Sequence, residues 1–235
     1  MPMLTDKDRQ FLTEYFEQSL TEPVTIKVFT QSSECQFCKE TKQLLEEVEE
    51  LSDKIEVQVH DLVDDKEVAE EYGIRRIPAT VIMGRADYGI RFYGIPSGYE
   101  FNTLIEDIVA VSNEAPGLSE AVMEKLERIE EPVHMQVFVT PTCPYCPAAV
   151  RTAHAFAMAS EMITADMVEA VEFPQMANRY NVMGVPKTVI NETTEVEGAA
   201  PEELVVAKVL EAVGLMSKEE VDELFAGFEG EIETT

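Results

Sequence analysis

The sequence contains no tryptophan, three histidines, and 18 basic residues against 46 acidic ones. The resulting formal charge of −28 excludes a phosphate-binding nucleic-acid partner and an anionic membrane surface, both of which repel such a coat. His60, His134 and His154 fall at unrelated positions, so they read as packed or exposed histidines rather than a metal site. No run of 18 apolar residues is present, and no transmembrane helix is expected. The start, Met1-Pro2-Met3-Leu4-Thr5-Asp6-Lys7-Asp8, turns charged at once and lacks the apolar core of a secretory signal, so a cytoplasmic location is expected.

No cysteine is left over for a structural staple. The four present form two pairs, Cys35-Gln36-Phe37-Cys38 and Cys143-Pro144-Tyr145-Cys146. In a cytosolic chain such pairs point to redox or metal chemistry rather than a disulfide framework. Zinc ribbons bring their pairs within roughly 15–20 residues of each other. Here the pairs are 108 residues apart, and metal ligation is the weaker alternative.

That offset recurs. Tyr72 aligns with Tyr180, Pro78 with Pro186, and Thr80-Val81-Ile82 with Thr188-Val189-Ile190, so each proline follows its first cysteine by 43 residues. Upstream, Pro23-Val24 and Val28-Phe29 align with Pro132-Val133 and Val137-Phe138 at an offset of 109. Several landmarks at one nearly fixed spacing indicate duplication of one unit. The expected units are 1–115 and 116–235, jointed at Ala115-Pro116-Gly117.

Hydrophobic periodicity gives both halves one order. Strands are expected at 24–30, 55–60, 79–83 and 90–93, and again at 133–139, 163–168, 187–191 and 194–197. Helices are expected at 38–51, 67–72 and 97–111, then at 145–160, 173–180 and 201–213. An extra helix opens each half, near 5–20 and 119–130, and a short helix with an acidic, frayed end follows Ser217. The pattern β-α-β-α-β-β-α implies an α/β fold of two tandem units, each a mixed four-stranded sheet with helices on both faces.

Each first cysteine stands where a strand gives way to a helix. Free N–H groups and the positive end of the helix dipole stabilise a thiolate there, and the thiolate is the attacking species. Cys35 and Cys143 are the expected nucleophiles. Cys38 and Cys146, with two residues between, are placed to resolve a mixed disulfide. Pro144 and Pro147 are tolerable only at the very start of a helix. Ile77-Pro78 and Val185-Pro186 each precede a strand at equal distance from their cysteines. A cis-proline loop there leaves the preceding backbone free to pair with an extended substrate, which makes these four residues the expected substrate-binding positions.

On these motifs the chain resembles the glutaredoxin-like protein disulfide oxidoreductases with two tandem thioredoxin units. Cys143-Pro144-Tyr145-Cys146 matches the glutaredoxin centre at all four positions. The resemblance implies dithiol exchange on protein disulfides, with reduction, oxidation or isomerisation set by the redox surroundings, and with no cofactor beyond the redox-active disulfides themselves. It also implies electron supply from a thioredoxin-reductase-type flavoenzyme and delivery to peroxiredoxins. The chain departs from the pattern in three places. Phe29 and Val137 stand where thioredoxins carry a buried Asp in the strand before the centre. Thr140-Pro141-Thr142 lacks the basic residue that helps glutaredoxins hold glutathione. Gly198-Ala199 replaces their Gly-Gly turn.

The two centres are expected to differ. Glu34 and Glu40 flank the first, offset in part by Lys39, and nearby carboxylates disfavour a thiolate. The second has no adjacent acid, and Arg151 lies one to two turns into its helix. Cys143 is therefore expected to be the more acidic thiol and the main centre, fed by the Cys35 pair. The Ala-rich stretch 148–159 is expected to pack closely, at the contact between units.

Overall fold

The computed structural model describes residues 2–232, without the side chains of 228–232. Helix α1 (Asp6–Ser19) opens on a reciprocal cap: Thr5 Oγ1 accepts from Asp8 N–H, and the Asp8 carboxylate accepts from Thr5 N–H. Strand β1 (Val24–Thr30) pairs parallel with β2 (Ile55–Asp61) and antiparallel with β3 (Ala79–Met83), which is joined in a hairpin to β4 (Asp87–Tyr93). The second half repeats this with β5 (Val133–Val139), β6 (Ile163–Glu169), β7 (Lys187–Ile190) and β8 (Thr194–Glu197).

The two four-stranded sheets are not separate. β4 pairs parallel with β6, from Ile90↔Ala165 to Tyr93↔Val168, giving one eight-stranded sheet of order β2-β1-β3-β4-β6-β5-β7-β8. Two of the four edges expected from the repeat are thereby satisfied within the chain, which removes them as templates for other strands.

Helices cover both faces, as the alternation of strand residues requires. On one face lie α2 (Cys38–Glu49), α4 (Glu100–Asn113), α5 (Glu120–Leu126), α6 (Cys146–Ala159) and α8 (Glu202–Ala212), over Val28, Ile82, Phe92, Val137 and Met167. On the other lie the short α3 (Lys66–Glu71) and α7 (Pro174–Arg179), over Phe29, Val81, Phe138 and Val168. Fully buried side chains such as Phe92, Leu104 and Phe156 each contribute roughly 1.5–3 kcal/mol of apolar burial. The final helix α9 (Lys218–Ile232) is longer than the short one expected. Part of the expected frayed end, residues 233–235, lies outside the described residues.

The small side chains of α6 let it lie against α4 of the first half and against β4. His154 is fully buried there. Its Nδ1 is 2.6 Å from the Asp107 carboxylate of α4, and its ring meets Phe92 edge-on. Burial raises the Asp107 pKa.

Candidate active site

Both cysteine pairs sit at the end of a strand. β1 ends at Thr30, and the polar loop Gln31-Ser32-Ser33-Glu34 leads to Cys35. β5 ends at Val139, and Thr140-Pro141-Thr142 leads to Cys143. The helices begin at the second cysteine of each pair, Cys38 and Cys146, so Cys35 and Cys143 belong to the preceding loop rather than the first helical turn. Phe37 and Tyr145 flank the helix starts. Pro147, and not Pro144, occupies the first turn of α6.

Within each pair the sulfurs are at disulfide-bonding distance, with Cα atoms 5.5 Å apart. At the second pair the Cys146 backbone N–H donates to Cys143 Sγ at 3.1 Å. No corresponding donor reaches Cys35 among the described residues. The Val185 carbonyl lies 3.7 Å from Cys143 Sγ.

The Ile77-Pro78 and Val185-Pro186 peptide bonds are both cis. Register places each proline beside the strand that leads to its cysteines, because Ala79 pairs with Phe29 and Lys187 with Phe138. Each proline carbonyl accepts an N–H from the returning strand side: Gly94 to Pro78 at 3.0 Å, and Gly198 to Pro186 at 2.8 Å. The structure thus brings Cys143, Cys146 and Val185 together, and Cys35 with Cys38.

The sites differ in cover. Cys35 is half-buried, and a groove beside its partner Cys38 is lined by Lys39, Lys42, Asp61, Asp64 and Asp65. Cys143 is 7 % exposed and Cys146 is fully enclosed. The first half reaches the loop before Cys143: Tyr99 N–H donates to the Pro141 carbonyl at 3.1 Å. Gly98 packs so close that a Cβ would stand 2.2 Å from that same oxygen, and its φ of +63° already suits glycine.

Three acidic residues near this junction carried no sequence signal. Glu100 opens α4 and faces α6. Burial pushes its carboxyl up to about 7, and neither oxygen has a hydrogen-bond partner among the described residues. Glu169, at the end of β6, accepts Glu172 N–H at 2.5 Å, and Glu172 accepts Ile95 N–H at 2.8 Å across the seam between halves. Burial again raises both carboxyls, Glu172 to about 7. Arg151 is not free to favour a thiolate, because it is paired with Glu106 of α4 at 2.5 Å.

Fold and site together define a thioredoxin-fold protein with two dithiol centres. A model of the thioredoxin domain matches residues 133–211, and a model of a domain of unknown function (DUF7088) matches residues 9–91. The crystal structure of a protein disulfide oxidoreductase from Aeropyrum pernix superposes with a TM-score of 0.84 at 31% identity, over 91% of this chain and 95% of that one. The chain belongs to the thioredoxin-fold protein disulfide oxidoreductases. The NTD_N/C domain of the alkylhydroperoxide reductase AhpF from Enterococcus faecalis is also similar, with a TM-score of 0.79 at 26% identity over 86% of this chain and 98% of that one. The corresponding alkyl hydroperoxide reductase protein of Staphylococcus aureus is 28% identical over 65% of this chain. The chain spans 28% of the length of that curated relative.

Proposed function

We propose that this chain reduces protein disulfides by dithiol exchange, with Cys143/Cys146 as the main centre and Cys35/Cys38 as the second. The carrying observation is the N–H that Cys146 donates to Cys143 Sγ at the strand–helix junction, beside the Val185 carbonyl. The Cys143 thiolate attacks one sulfur of a substrate disulfide. A mixed disulfide forms and one substrate thiolate leaves. Cys146, deprotonated, attacks Cys143 Sγ, releases the second substrate thiolate and closes the Cys143–Cys146 disulfide. Two electrons pass to the substrate, and a dithiol donor must return them. Ile77-Pro78 and Val185-Pro186 present free backbone to an extended substrate segment.

The reading extends to two functional units, 1–115 and 116–235, working in the cytoplasm with no cofactor beyond their disulfides. The relatives' name, alkyl hydroperoxide reductase, supports a peroxide-reducing setting. A flavin-dependent disulfide reductase as donor and a peroxiredoxin as acceptor fit that setting. No helix among the described residues is long and apolar enough to cross a membrane.

Insulin-disulfide reduction with dithiothreitol as donor tests the proposal. Activity is expected from the unmodified chain, and loss of at least about 100-fold in Cys143→Ser. Full turnover in the Cys35→Ser/Cys143→Ser double variant would overturn it. Stoichiometric zinc in purified protein, with no reductase activity, would instead favour a metal-binding regulator.

A further inference from the structure

A concentration of positive charge, unusual in so acidic a chain, lies at the seam between the halves, on the α3/α7 face. A cleft of ≈ 400 Å³ opens there, in the lower part of the usual size range for small-molecule sites. Its floor is a cross-strand row in register, Arg91 on β4, Asp166 on β6 and Gln136 on β5. Its walls come from the segments that follow α3 and end α7. Four of the eight arginines line it: Arg75, Arg76, Arg91 and Arg179.

Two of these have partners. Arg91 pairs with Asp87 at 2.5 Å and lies 5.9 Å from the Tyr72 ring, while Arg179 pairs with Glu192 and lies 5.2 Å from the Tyr180 ring. The duplicated tyrosines thus brace one arginine from each half. His134 is held by Asp166 at 2.6 Å.

Arg75 and Arg76 make no ion pair with a described residue, in a chain with 46 carboxylates. Both are exposed at the mouth of the cleft, and the Arg76 charge acts on Tyr93, His134 and Tyr180 around it. Gln136 is 4 % exposed and turns its side chain to the cleft floor, where no described residue hydrogen-bonds its amide. The second half has no equivalent, because Met183 and Gly184 stand where the repeat would place Arg75 and Arg76.

We infer that this cleft binds a small organic or inorganic polyanion, its carboxylate or phosphate oxygens held by Arg75 and Arg76 and its polar edge by Gln136. Guanidinium forks suit both oxyanion types. Because Arg75-Arg76 run directly into Ile77-Pro78, an occupant also fixes the loop beside the first dithiol.

Isothermal titration of the whole chain at low ionic strength, with pyrophosphate and separately with citrate, tests this without any thiol readout. One-to-one binding of at least one anion is expected at submillimolar affinity. Arg75→Ala/Arg76→Ala should weaken it by at least about tenfold. Gln136→Met should weaken it less, and Arg85→Ala, on the surface away from the cleft, should leave it unchanged. Preference for pyrophosphate assigns a phosphate ligand, and preference for citrate a carboxylate. Absence of binding by both, or equal weakening by Arg85→Ala, would overturn the inference.

Discussion

The two halves share one plan but not one environment. The first dithiol stands on a polar loop with a half-exposed nucleophile, while the second is buried and its approach loop is bonded to the Gly98–Tyr99 segment of the first half. Duplication has therefore given one centre that is nearly self-contained and one assembled from both units. The dry centre is the one in which an N–H reaches sulfur, and a hydrogen bond counts for more where water is excluded.

The sharpest way to break this comparison is to remove each nucleophile separately. Cys143→Ser is expected to lose nearly all insulin reduction, whereas Cys35→Ser should retain a measurable fraction. Equal losses would mean that the halves act as one relay of equal members. Next in size is the Gly98–Tyr99 contact itself. Gly98→Ala meets both a positive φ and a backbone oxygen, and should cost at least about 2 kcal/mol. Gly117→Ala, whose φ is +73° with nothing nearby, should cost about 1 kcal/mol. Urea denaturation of both variants separates the clash from the conformational penalty.

A smaller effect follows from Glu100. Its folded pKa, about 7, lies above the ordinary 4.5, so the folded chain holds this proton where the unfolded chain releases it. The stabilisation is complete below the unfolded value and is lost as pH rises from 4.5 towards 7. Glu100→Gln should remove that decline, so the melting temperature of the variant relative to the parent rises by a few degrees across the window. A difference that stays flat with pH would show that the carboxyl titrates normally. Smallest is the thiol asymmetry: iodoacetamide alkylation of single-pair variants should give Cys143 the lower apparent pKa, and Glu34→Gln should bring Cys35 closer to it.

Much of this was legible in the sequence. The repeat marked both strands that lead to cysteines, both prolines and the order of elements, because alternation and fixed spacing are local signals. The pairing of β4 with β6 was not legible. Parallel edges meet through backbone groups that every residue carries, so Ile90–Tyr93 and Ala165–Val168 bear no mark of each other. Glu100 was hidden for a related reason: an acid at the head of a helix is ordinary, and only the arrival of α6 from the other half makes it buried. Arg91 likewise read as one charge in a strand until the seam gathered three other arginines around it. The start of α6 falls at Cys146 rather than Tyr145, because proline at the first helical positions is compatible with more than one boundary.

The seam ladder carries a mechanical consequence. Hinged modules can swing their reactive ends together, but strands locked side by side in one sheet cannot reorient without breaking that ladder. Any exchange of electrons between the halves would therefore run through a shuttling client or a second molecule, and not through a swivel. The same lock should make heat melt the whole chain in a single step, with neither half surviving the other.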